Sequence, residues 1–228
     1  MSWRSPPTTA RRSGALRAAA FASALIGEAA LLSGDLELAT AELTEANGLH
    51  RDLSSAAGEA HSLQRLAEVR VAEGDGVAAM RLLQEALPLA RASMVAKHLM
   101  QRIFGTMILA ASDPLEARAI VDRAESTLGW EDACQFCSIM LSVPASIACA
   151  RVGDLQHARR HLLIAEQSAV LWQGTAWEAG MAEAQAAVAA ASGDPATARE
   201  RLQFATEHFQ RAGQPLDADR CRRVMAER

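Results

Sequence analysis

A two-residue corner, glycine or serine followed by aspartate, recurs at nearly even intervals along the chain. The five corners begin 38 to 41 residues apart, at Gly34, Gly74, Ser112, Gly153 and Gly193. Glycine readily takes the left-handed backbone that ends a helix, and aspartate caps the unpaired N–H groups of the next one. Each corner therefore predicts a helical hairpin.

The helix after each corner repeats a small–large–small pattern. An alanine stands five residues after each corner glycine or serine, an aliphatic residue four further on, and a second alanine three beyond that. The triplets are Ala39, Leu43, Ala46; Ala79, Leu83, Ala86; Ala117, Val121, Ala124; Ala158, Leu162, Ala165; and Ala198, Leu202, Ala205. These offsets keep the three residues on one helical face. A period of about 40 residues, held five times, predicts an all-α solenoid of stacked hairpins.

These residues resemble the tetratricopeptide repeat family over roughly residues 18 to 212. The family has a small residue seven positions before the corner, where this chain has Gly27, Ala67, Gly105, Ser146 and Ala186. Its aromatic positions in the same helix are instead Ser23, Leu63 and Ser142, or Ala30, Arg70 and Cys149. The resemblance implies a right-handed superhelical solenoid of about five hairpins. The alanine-rich style and the closing segment resemble the C-terminal arrays of large bacterial signal-transduction transcription regulators.

Three regions follow from this pattern. Residues 1–13, with Pro6 and Pro7, are expected to be a disordered leader; residues 14–212 form the array; and residues 213–228 form a capping helix. A solenoid needs such a cap over its last repeat. We expect Arg220, Arg222 and Arg223 to form its solvated face.

The N-terminal stretch has two interpretations. Arg11-Arg12 and Ala22-Ser23-Ala24 could mark a twin-arginine export signal and its cleavage site. Gly27 falls on the small-residue position of the repeat, which favours a first helix instead. We expect no run of the roughly 18 apolar residues that a membrane span needs. Four irregularly spaced cysteines suit a reducing, cytoplasmic location.

The chemistry-bearing residues favour packing over catalysis. Cys134 and Cys137, followed by His157 and His161, match a zinc-site spacing. In a hairpin turning at Gly153, however, the thiols lie roughly 20 Å or more from the histidines. We therefore expect no four-ligand metal site, while a two-cysteine redox or metal role stays open.

No other motif indicates an enzyme or a cofactor. The sequence has no nucleophile elbow, phosphate loop or dinucleotide turn, so we predict no catalytic residues and no cofactor. Cys149 and Cys221 are expected to pack in the core, and His61 and His98 to be exposed. Trp130, Trp172 and Trp177 cluster around repeats four and five, and the last two are expected to staple neighbouring hairpins.

The resemblance implies a groove lined by the first helices of the repeats. Its positions are Gln64, Glu68, Leu99, Arg102, Thr106, Met140, Val143, Ile147, Arg151 and Glu183. Gln64 and Glu68 stand where a carboxylate clamp would have lysine and asparagine, so a chaperone-tail ligand is not expected. Apolar residues between Arg102 and Arg151 suit an acidic amphipathic helix. Alternatively, these residues pack against the chain's own neighbours.

The sequence therefore favours a non-catalytic scaffold that binds a protein or peptide, as the sensing or assembly module of a bacterial transcription regulator. With no helix-turn-helix and no nucleotide site, those parts would belong to a longer parent or to a partner. A net charge of −4 argues against direct contact with nucleic acid. The alternative is a receptor module whose groove closes over a small effector. The oligomeric state and the partner's identity stay open.

Overall fold

The computed structural model describes residues 15–129 and 134–227, and within them the chain is all-α. Helix makes up 83% of the structure, with eleven α-helices and no strand among the described residues. The helices are α1 Leu16–Ser33, α2 Leu36–Asp52, α3 Ala56–Ala72, α4 Gly76–Arg91, α5 Ala96–Ala110, α6 Pro114–Leu128, α7 Ile139–Arg151, α8 Leu155–Ala169, α9 Trp177–Ala191, α10 Pro195–Arg211 and α11 Pro215–Ala226. The predicted all-α array of helical hairpins is confirmed. The predicted leader, residues 1–13, and Trp130 lie outside the described residues.

All five corners fall between two helices, and all five aspartates cap the second one. At the first corner, Gly34 has φ 85° and Asp35 accepts a hydrogen bond from the Leu38 N–H at 3.0 Å. The remaining aspartates accept in the same way. Ser112 replaces glycine at the third corner, where its N–H donates to Glu116 at 2.8 Å. The aspartate side chains thus satisfy at least one unpaired backbone N–H at each of these corners.

The small residues seven positions before the corners lie where helices approach closely. All five are buried. A Cβ added to Gly27 would lie 2.6 Å from Leu43 Cγ, and one added to Gly105 would lie 2.2 Å from the Met140 carbonyl oxygen. The first contact joins α1 to α2, and the second joins α5 to α7. Small side chains are therefore required at these positions because larger ones would not fit.

The contacts group into two compact units, residues 1–103 and residues 104–228, with the boundary inside α5. In the first unit α1 pairs with α2, α3 pairs with α4, and α3 packs on α2. In the second, α7 pairs with α8, α9 pairs with α10, and α9 packs on α7. Each unit buries its own apolar clusters, around Leu43 in the first and around Ile139 in the second.

Helix α11 packs on α10 and buries Ala218 and Cys221 against Leu202 and Phe209. Arg222 and Arg223 are exposed, as predicted. The prediction for Arg220 is wrong, because its guanidinium donates to both carboxylate oxygens of Glu183 on α9, at 2.9 and 2.7 Å. This arginine therefore ties the last helix to the first helix of repeat five.

Helix α1 corrects the expectation about apolar runs. Its 18 residues have a mean hydropathy of 1.4, so by length and composition alone it could cross a membrane. Core helices of folded domains and signal sequences pass the same test. Ala19, Ala20, Ala24 and Leu31 are buried in α1, and Gly27 packs closely on Leu43, which is the role of a first repeat helix.

Candidate binding surface

The predicted groove residues divide between the two units. The first unit contains Gln64, Glu68, Leu99 and Arg102, and the second contains Thr106, Met140, Val143, Ile147, Arg151 and Glu183. Each set has a different chemical character.

In the first unit, the groove positions belong to a network of charged and polar side chains centred on Arg65. The Arg65 guanidinium forms ion pairs with Glu28 on α1 and with Glu68, the latter at 2.5 Å. Gln64 donates to Glu68 at 2.7 Å, and Arg102 lies 3.8 Å from Glu28. Gln64 and Leu99 are buried. Most of this predicted groove set is therefore engaged within the unit itself.

The network shifts the pKa values of the titratable side chains in and beside it. Burial raises the pKa of Glu68, but the charges of Arg65 and Arg102 lower it by more. The net shift of the Glu68 pKa is therefore downward, and the carboxylate stays charged. His61 is half-buried on α3, and burial lowers its pKa to about 4, helped by the nearby Arg102 charge and opposed by Glu68. The expectation that His61 is exposed is thus wrong, because its position on α3 is partly covered, whereas His98 is exposed as predicted.

Sequence reasoning missed the two central members of this network, Arg65 and Glu28. Arg65 lies nine residues before the Gly74 corner, where repeats three to five have Ile103, Pro144 and Ala184. The sequence signal for this network was a charged residue, Arg65, at a position that is apolar in repeats three to five. An arginine so placed needs an acidic partner on a neighbouring helix.

In the second unit, the groove positions on α7 form an apolar row. Val143 is buried, Met140 and Ile147 are half-buried, and all three pack in the cluster around Ile139 and Ala165. Arg151, at the end of the same row, is exposed. Because residues 140, 143, 147 and 151 share one helical face, α7 presents two half-buried apolar side chains beside an exposed cation.

Two other predicted groove residues in the second unit contribute little to an open surface. Thr106 is buried. Glu183 is also buried, and its carboxylate accepts the two Arg220 hydrogen bonds already described.

The predicted tryptophan staple is confirmed for Trp172 and Trp177. Trp172 lies 4.1 Å from the Phe136 ring, centroid to centroid, and donates its indole N–H to the Phe136 carbonyl at 2.9 Å. Trp177 lies 6.3 Å from Trp172. Both tryptophans pack on the cluster that joins α7, α8 and α9, so they hold neighbouring hairpins together.

The cysteines and histidines of the second unit do not form the zinc-like arrangement. His161 is buried, and its Nε2 lies 2.9 Å from a Glu125 carboxylate oxygen. His157 Nδ1 lies 2.9 Å from Asp154. Cys134 and Cys137 are half-buried at the turn before α7. Burial raises the pKa of both Cys149 and Cys221 to about 12, so these two thiols behave as the core residues that the sequence predicted.

Two surface depressions in the described part of the chain are each lined by a single helix. One, of about 410 Å³, lies along α2 between Thr40 and Asp52. The other, of about 390 Å³, is lined by Glu207, Gln210 and Arg211 of α10. Ligand pockets usually gather side chains from several elements around a concave space. These two depressions are helix surfaces rather than enclosed pockets.

Comparison with known proteins adds no family assignment. The chain matches no family model, and a search of curated proteins finds no match either.

Proposed function

We propose that this protein is a non-catalytic scaffold that binds another protein or a peptide on the surfaces of its stacked helical hairpins. The observation that carries this proposal is that the two surface depressions described above are each lined by one helix. Such surfaces suit a macromolecular partner, because a small ligand needs several elements to bury most of its area. For the same reason, the alternative of a small-effector receptor has less support.

The α7 row is the surface that fits a partner best. Met140 and Ile147 keep part of their apolar area exposed, and Arg151 adds an exposed positive charge one turn away. An amphipathic helix with an acidic residue beside its apolar face matches this order of groups. In the first unit, by contrast, the carboxylates of Glu28 and Glu68 already hold Arg65.

The wider role rests on resemblance. The alanine-rich hairpins and the closing segment resemble the C-terminal arrays of bacterial transcription regulators, so we propose a sensing or assembly module of such a regulator, working in the cytoplasm. Direct contact with nucleic acid is not part of the proposal, because the chain is mildly acidic, with a net charge of −4.

A charge reversal on α7 tests the binding surface. Partners are captured from a bacterial lysate on the immobilised protein and identified by mass spectrometry, and their affinities are measured for the wild type and Arg151→Glu. We expect reversal of the charge to weaken binding by about tenfold or more. The matched control is Arg199→Glu, which makes the same change at an exposed position on α10.

The control should bind like the wild type, and both variants should unfold at the wild-type temperature. If Arg151→Glu binds the partner with unchanged affinity, the binding site does not lie on the α7 row. If the protein captures no macromolecule but its melting temperature rises when a metabolite is added, the receptor hypothesis would replace the scaffold hypothesis.

A further inference from the structure

Helix α1 carries an apolar face that no other described helix covers. Phe21 is 62% exposed, Leu25 50% and Leu32 38%. Ala18, one turn before Phe21, and Ala29, between Leu25 and Leu32, lie on the same face and are also exposed. These residues recur every three or four positions and so form a single stripe along the helix.

The repeat register shows what kind of element normally covers this stripe. Phe21, Leu25 and Ala29 lie thirteen, nine and five residues before their corner. The residues at the same three positions are His61, Arg65 and Val69 in repeat two; Leu99, Ile103 and Met107 in repeat three; Met140, Pro144 and Ala148 in repeat four; and Gly180, Ala184 and Val188 in repeat five. All twelve are buried or half-buried. The stripe on α1 is therefore a helix-stacking face, and it is exposed only in repeat one.

The stripe is complementary to itself when two copies of α1 run antiparallel. With Leu25 opposite Leu25 of the second copy, Phe21 faces Ala29 and Ala18 faces Leu32. Each large side chain other than Leu25 then meets a small one, which lets the two helices interdigitate as packed helices require. The five residues of the stripe carry no charge. Glu28 lies at its margin and is paired with Arg65.

The α1 stripe of one copy cannot stack on the last hairpin of another copy. The last hairpin is covered by α11, which packs on α10 and exposes Arg222 and Arg223. Among the described residues of α11 no large apolar side chain is exposed, so the stripe finds no matching surface there. We propose that two copies of this chain associate through antiparallel contact of their α1 helices, forming a closed two-fold dimer.

The size of the stripe sets the expected strength of the dimer. Its three large side chains expose roughly 250 Å² of apolar area, about a third of what one partner contributes to a standard interface. The dimer should therefore be weak, with a dissociation constant on the order of tens of micromolar or higher, and the experiment must extend to millimolar concentrations.

Sedimentation velocity over a concentration series tests the proposal on the full chain. The wild type should shift from monomer to dimer as its concentration rises, and Leu25→Glu should stay monomeric up to concentrations about a hundredfold higher. The control Val77→Glu places the same charge at a 68% exposed valine on α4 and should dimerise like the wild type. Circular dichroism checks that all three proteins are equally helical.

A cross-link tests the geometry. In the antiparallel pair the two copies of residue 25 face each other, so Leu25→Cys should form an intermolecular disulfide under mild oxidation. Val77→Cys should not cross-link beyond the wild-type background from the native thiols. A wild type that is monomeric throughout, or a dimer that survives Leu25→Glu, overturns the proposal. Failure to cross-link in a dimer that Leu25→Glu abolishes overturns the antiparallel arrangement, and binding to lipid vesicles without dimerisation would assign the stripe to a membrane surface.

Discussion

The hairpin interfaces of repeats two and five use the same positions but opposite chemistry. Nine residues before its corner, repeat two has Arg65, which pairs with Glu28 on α1 and with Glu68. Repeat five has Ala184 at that position, in an apolar cluster with Ile139 and Val143 of α7. One face of the fold is therefore filled by an ionic network in the first unit and by aliphatic packing in the second.

The difference shows what the repeat pattern does and does not specify. Stacking requires that the face be filled, and either chemistry fills it. An ionic network depends on every partner, because removing one leaves a charge poorly solvated and unpaired. An apolar interface depends instead on volume and shape. The two units should consequently fail in response to different substitutions.

The largest expected effect comes from removing the centre of the ionic network. Arg65→Met keeps much of the side-chain volume but leaves Glu28 and Glu68 with only the more distant Arg102 as a cation. The Arg65 side chain is only 11% exposed, so we expect a loss of about 3 kcal/mol in the free energy of unfolding, measured by urea denaturation.

Arg70→Met is the matched control for this experiment. Arg70 lies on the same helix and also pairs with a glutamate three residues on, but its side chain is 32% exposed. Its loss should stay below about 1 kcal/mol. Equal losses for the two variants would mean that the Arg65 network adds nothing beyond a surface ion pair.

The array itself could be predicted from sequence because its determinants are local. Gly34 and Asp35 specify a helix end and a helix start through their own backbone and side-chain preferences. Gly27 could be identified as a close-contact position by its register. These features are repeated five times, so each supports the others.

The surface chemistry could not be predicted in the same way, because it depends on which side chains meet across helices. Glu183 occupies a groove position by register, yet Arg220, 37 residues later, binds its carboxylate. His61 was expected to be exposed, but the packing of α3 leaves it half-buried. Pairings between distant residues follow from packing, and a repeat pattern does not contain them.

A second, smaller effect tests the apolar interface through volume. Gly105→Ala would place a Cβ 2.2 Å from the Met140 carbonyl oxygen, so α5 and α7 must move apart. We expect this change to lower the free energy of unfolding by about 2 kcal/mol. Gly48→Ala is the control, since Gly48 is exposed on α2 and its added Cβ meets nothing within 4 Å.

The control should gain up to about 1 kcal/mol, because alanine favours helix more than glycine does. Opposite signs for the two substitutions, read from urea denaturation, would establish the close approach at Gly105. A Gly105→Ala variant as stable as Gly48→Ala would show that shape is not what limits this interface.

The smallest effect is a pH dependence that belongs to the ionic unit. His61 has a pKa of about 4 in the folded chain, lowered by burial and by Arg102, while Glu68 opposes and His50 adds to the shift. The unfolded chain protonates this imidazole near its ordinary value of 6.5 and so binds more protons between the two values. Stability must therefore fall as the pH drops through this window, and from about pH 7.5 to about pH 5.5 the His61 share is about 1 kcal/mol.

His61→Gln removes this titration and isolates its share. The pKa of His161, buried beside Glu125 in the second unit, is lowered as well, and so is that of His50. Both remain in the variant, so the two proteins should differ only by the His61 share of the slope, measured by urea denaturation at each pH. The pKa of Glu68 is lowered from its ordinary value of 4.5, so that carboxylate stays charged between pH 7.5 and pH 5.5. Parallel slopes for the wild type and His61→Gln would mean that His61 is solvated in the folded chain, and the ionic face of repeat two would then be more open than the packing of α3 allows.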